Sequence, residues 1–98
     1  MNYQSQIDAN YYFARYNEIL FNMQRDMLVT ETTSNITLDF IRCMIPYNIT
    51  GIYIYENLLK YTNSIVFKNV ANNIIEIQKR KIGYMKEIYN NIMPYLNS

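Results

Sequence analysis

The side chains best suited to chemistry in this sequence carry sulfur: Met23 and Met27 one helical turn apart, the neighbours Cys43 and Met44, and Met85. A thiolate joined by thioethers suits Cu(I), so convergence of these five residues in a helical protein would build a soft-metal site. The ordinary alternative is that methionines at helical spacing fill gaps in a core and that a lone cysteine behaves as a small hydrophobe. The expectation is therefore no bound cofactor, with copper on these sulfurs as the alternative. The chain has no histidine. That removes the Glu-x-x-His pairs of a di-iron centre and the usual base for a serine or cysteine nucleophile. Asp39, Glu56 and Glu76 fall on separate turns, so no catalytic residue is assigned and a non-enzyme is expected.

A second candidate surrounds the first. From Asp39 to Tyr55 the chain sets Pro46 inside an apolar helical pattern, directly before Tyr47 and Asn48. Proline in a helix interior costs about 3 kcal/mol and deprives a carbonyl one turn back of its amide. Asn48 is expected to donate to that carbonyl, and Tyr47 to lie against a neighbouring helix with its hydroxyl in solvent. The alternative is a polar pocket of Tyr47, Asn48, Tyr53 and Gln78 that binds a small molecule in an inter-helix cleft. Gly51 weakens its helix by roughly 0.5–1 kcal/mol relative to alanine, which fits a close helix approach. Gly51→Leu is expected to destabilise the fold.

Three helices must position these residues. Over residues 7–29, Ile7, Tyr11, Phe13, Ala14, Tyr16, Leu20, Met23 and Met27 recur at helical spacing, and Ser5 with Asp8 resembles a capping box, so the helix should begin near residue 5 or 6. Thr30 to Asn35 reads as a loop. A second helix is expected from about Thr37, as N-cap, to Tyr61, kinked or split near Pro46. Its inward positions are Leu38, Ile41, Ile45, Ile52 and Leu59, and Phe40, Met44, Ile54 and Leu58 form a neighbouring stripe. Two stripes imply more than one packing partner. Thr62-Asn63-Ser64 is a break whose serine caps a third helix, Ile65 to Met93, stopped by Pro94. Its seam runs through Phe67, Val70, Ala71, Ile74, Ile77, Ile82, Met85, Ile88 and Ile92. The fold class is all-α: an up-down-up antiparallel bundle of three long helices in one domain, residues 1–98. Helices of that length, roughly 30 to 43 Å at 1.5 Å per residue, bury a narrow core, so a fourth rod or a partner chain should complete it.

Composition narrows the function classes. Net charge is +1 from nine basic and eight acidic residues, and the run Lys79-Arg80-Lys81 reads as a solvated helix face. Neither nucleic acid nor a membrane is expected as partner; a homodimer is. One cysteine and an N-terminus without a signal pattern make the cytoplasm the expected location.

The order Asp39-Phe40, Met44-Ile45-Pro46 and, later, Val70-Ala71-Asn72-Asn73-Ile74-Ile75 with Gln78, Ile82 and Met85 resembles the ferritin-like "domain of unknown function 305" family. That family's hallmark is Met-Ile-Pro-His-His, a small residue three positions on, and Leu-Ala-x-x-Ile-Ile-x-x-Gln-x-x-Glu-Ile-x-x-Met. The resemblance spans about residues 19 to 93. It implies a helical bundle, and some secreted members are similar to copper-binding proteins that use the paired histidines and nearby methionines. Here the histidine positions hold Tyr47 and Asn48, and Lys81 stands at the glutamate. Met44, Pro46, Gly51, Gln78 and Met85 are kept. The resemblance thus implies a retained scaffold whose metal chemistry is lost.

Overall fold

The computed structural model describes residues 3–28 and 32–96. These form three helices, α1 (Tyr3–Leu28), α2 (Ile36–Tyr61) and α3 (Ile65–Leu96), and among the described residues there is no strand. The all-α class and the helix count agree with the sequence reading. No helix among them is long and apolar enough to cross a membrane.

The helix ends follow local side-chain chemistry, with three departures from expectation. α1 starts at Tyr3, so Ser5 lies inside it rather than capping it, and Asp8 instead accepts from Gln4 Nε2 at 3.0 Å. α2 is capped by Asn35, not Thr37: Asn35 Oδ1 accepts from Leu38 N at 3.0 Å, satisfying one of the open amides of the first turn. Asp39 also reaches backward, its carboxylate accepting from Thr33 N, Thr33 Oγ1 and Thr32 Oγ1, each at 2.8 Å. These bonds, that from the Thr33 amide foremost, hold the Asp39 carboxyl below its ordinary pKa. They tie residues 32–35, which carry Ser34 at φ 68°, onto the start of α2. Val29, Thr30 and Glu31 lie outside the described residues. At the next junction Ser64 caps as expected, with Phe67 N donating to its Oγ at 3.2 Å. α2 runs through Pro46 as one element, and α3 continues past Pro94 to Leu96, so that proline does not stop it.

The three helices are held together through α2. α2 packs on both neighbours, antiparallel to each, as the pairs Asn57 with Tyr12 and Met44 with Met85 record, while α1 and α3 do not pack on each other. The chain measures 62 × 26 × 13 Å, and the shortest dimension is close to the roughly 10–12 Å diameter of one helix with its side chains. The antiparallel three-helix arrangement is as expected, and it is open, a layer with α2 between its two neighbours. The cause lies on α2. Residues that meet α3, such as Ile52, and those that meet α1, such as Thr50, are separated by about 200° at 3.6 residues per turn, so the two neighbours take opposite sides.

The core is correspondingly thin. Ile52, Ile75 and Ile82 form its cluster on the α2–α3 seam, flanked by Ile45 and Leu59, while Leu38, Ile41 and Ala71 are buried as well. In α1 the buried apolar residue is Ile19, which the spacing did not single out, whereas Tyr11 and Phe13 are exposed. α3 keeps part of its expected seam, since Ala71 and Ile82 are buried, but Ile75 is buried in addition and Phe67, Val70, Ile77 and Ile88 are all at least 43% exposed.

Candidate functional site

The outward apolar residues form a pattern. On α2, Phe40, Met44, Tyr47, Gly51, Ile54 and Leu58 alternate steps of four and three, a repeat that stays on one side of a helix. The same alternation runs through Ala9, Phe13, Tyr16, Leu20, Met23 and Met27 on α1. On α3 it runs through Phe67, Val70, Ile74 and Ile77 until Lys81 interrupts it, and Ile88 resumes it. Two grooves place residues of the α1 and α2 stripes, together with Gln78, Lys81, Tyr84 and Met85 of α3, on one broad face. A groove of about 310 Å³ is lined from all three helices, including Leu20 of α1, Tyr47, Gly51 and Ile54 of α2, and Gln78 of α3. The other, about 360 Å³, lies between Phe40, Met44 and Tyr47 of α2 and Lys81, Tyr84 and Met85 of α3. Tyr47 borders both. The opposite face carries Glu56 and Lys60 of α2 and Glu76, Lys79 and Lys86 of α3, all exposed, with acid and base interspersed.

The sulfur residues divide between the two seams. Met44 and Met85 share the α2–α3 groove, so two of the five come together from different helices. Met23 lines one groove between α1 and α2 and the groove lined from all three helices, and shares neither with Met85. Met27 and Cys43 are partly buried and border none of the described grooves; Cys43 is a free thiol. The donor set at the shared groove is two thioethers. The two positions that the resemblance equates with histidines add no metal donor: Tyr47 is 54% exposed, and the Asn48 amide is committed to a backbone carbonyl. The residues lining this groove carry no imidazole and no thiol.

Asn48 is buried, and its Nδ2 donates to Met44 O at 2.7 Å. The expected acceptor is not used: the carbonyl that Pro46 leaves free belongs to Arg42, and Asn48 bonds that of Met44 instead. The four-residue polar pocket is not assembled. Tyr47 meets Asn48 in one groove and Gln78 in the other, while Tyr53 lines the reverse face, with Arg15 Cζ 5.9 Å from its ring centroid. Gly51 and Gln78 do meet: a Cβ on Gly51 would lie 3.0 Å from Gln78 Nε2. The close approach is thus by a side-chain end rather than by a helix backbone. Gln78 Oε1 is buried and has no hydrogen-bond partner.

Asn57 is a polar residue that sequence reasoning missed. It is 3% exposed, its Nδ2 donates to Tyr12 O at 3.1 Å across the α1–α2 seam, and its Oδ1 has no partner. The available signal was an asparagine one residue before Leu58 and three after Ile54, within the span of the apolar stripe. The broad face was half visible, since its α2 stripe was recognised but the α3 residues beside it were assigned to the core.

Fold and face together define an all-α protein of a single three-helix layer with one apolar and one charged side. No family model matches the chain, and neither curated proteins nor solved structures provide a match.

Proposed function

We propose that this chain is a non-enzymatic, cytoplasmic interaction module that docks helical surfaces through its broad apolar face. We further propose that it is a divergent relative of the ferritin-like "domain of unknown function 305" family whose metal site has been lost. The observation that carries the docking function is the asymmetry of the layer. Phe13, Phe40, Tyr47 and Tyr84, from all three helices, are 60%, 59%, 54% and 64% exposed on one side, whereas the other side carries Glu56, Lys60, Glu76, Lys79 and Lys86. Large contiguous apolar surface rimmed by polar residues marks interaction sites. Support for the family reading is the contact between Gly51 and Gln78, which joins the two separated halves of the motif.

Photo-cross-linking in cells tests the docking role. A photoreactive residue at Tyr47 should give protein adducts, and one at Glu56, on the reverse face, should not; equal yields at the two positions would sink the assignment. For the lost metal site, anaerobic titration with Cu(I) should show binding no tighter than that of free methionine. A stoichiometric, tighter complex would overturn that part alone.

A further inference from the structure

We propose that the occupant of the apolar face is a second copy of this chain, packed face to face to give a two-layer, six-helix assembly with the charged sides outward. This rests on reading the face as a docking surface and names what docks there.

The first support is the thickness of the layer. Stable domains bury the apolar stripe of each helix between at least two packed layers. This chain supplies one, 13 Å deep, and its apolar stripes lie perpendicular to its own seams. The surface area gives the same answer. A compact monomer of this mass exposes about 5,900 Å², whereas the chain exposes 7317 Å². The excess, roughly 1,400 Å², exceeds the roughly 800 Å² that each partner contributes to a stable interface. The radius of gyration is 17.2 Å against roughly 13 Å for a compact domain of about this length.

Chemistry favours a like partner over a membrane. Helices that lie on anionic bilayers carry a basic polar face. Here the polar face mixes Glu56 and Glu76 with Lys60, Lys79 and Lys86, and the net charge is only +1. An isologous contact requires that one patch hold both projections and recesses. This face has both: Phe13, Phe40 and Tyr47 project, and the groove beside Gly51, about 310 Å³, receives. Large side chains of one copy entering recesses of the other reproduce knobs-into-holes packing.

Light scattering after size exclusion tests the proposal on the whole chain. The expected mass is twice the 11.8 kDa of the monomer at micromolar concentration. Phe40→Glu should weaken association at least about 30-fold, the scale of an interface hot spot. Phe21→Glu, equally apolar and 65% exposed but on the outer edge of α1, should change it less than about twofold. Hydroxyl-radical footprinting of the wild-type chain removes any dependence on variants that fail to fold. Phe13, Phe40 and Tyr47 should be protected at high concentration while Tyr11, Phe21 and Tyr53, 64%, 65% and 45% exposed, remain labelled. A helical, monomeric wild type at millimolar concentration would overturn the second copy, with cross-links from position 47 to another protein leaving the docking role intact. Uniform labelling of the two aromatic sets would overturn the choice of face.

Discussion

The two seams that α2 makes are held by different physics. Against α3 it presents isoleucines, and Ile52, Ile75 and Ile82 form a dry cluster whose cohesion scales with apolar area. Against α1 it relies on directed contacts: the Asn57 bond to Tyr12 O, the edge-on Tyr12–Tyr61 pair at 6.1 Å, and Arg15 over Tyr53, arranged around the buried Ile19. The first seam supplies bulk stability and the second supplies register. α1 is consequently the helix most easily released.

Truncating matched isoleucines should have the largest effect. Ile75→Ala is expected to cost about 2–5 kcal/mol and to unfold all three helices together in urea. Ile19→Ala should sit at the low end of that range, and its amide exchange should quicken in α1 while α2 and α3 stay protected. Equal costs with uniform exchange would erase the distinction between the seams. Asn57 sharpens it. Asn57→Ala should cost about 1 kcal/mol by removing the cross-helix bond, and Asn57→Leu should recover much of this, since Oδ1 is buried without a partner. Thermal melts of both variants would show it, and a leucine variant weaker than the alanine one would mean that the bond is worth more than its desolvation.

The two glycines form a smaller test. Nothing lies within 4 Å of a Cβ built on Gly83, so Gly83→Ala should stabilise α3 by up to about 1 kcal/mol. Gly51→Ala should gain less, because Gln78 Nε2 at 3.0 Å must first move, and Gly51→Leu should lower the melting temperature. Identical gains from both alanines would show that Gln78 yields freely. The smallest effect is at Asp39. Its folded pKa is depressed, so its contribution is present at neutral pH and disappears as pH falls through the carboxylate range. Asp39→Asn should flatten the acid limb of a stability-versus-pH curve; an unchanged slope would show that the Thr33 bonds carry no free energy.

Those contrasts explain what was legible in the residues. Ser64 as a cap, the break at Thr62-Asn63-Ser64 and the length of α2 were readable because each depends on partners within four residues. Capping propensity does not separate Thr37 from Asn35, both good capping types, and the choice of Asn35 goes with Asp39 folding back to Thr33. The convergence of Met44 with Met85, and the separation of both from Met23, depended on which side of α2 each neighbour chose.

The sequence by itself determined three amphipathic helices, their approximate ends and the absence of histidine chemistry, since periodicity, capping and composition are local properties. Only the tertiary structure decided that the helices form a layer. α2 carries apolar residues around more than half its circumference, and a stripe that wide accepts neighbours at several angles. α1 took the side of Thr50 and Asn57, where a hydrogen bond and an aromatic pair set its position, and left Ile54 and Leu58 on the broad face. That choice, which no spacing rule encodes, turned an expected core into a surface.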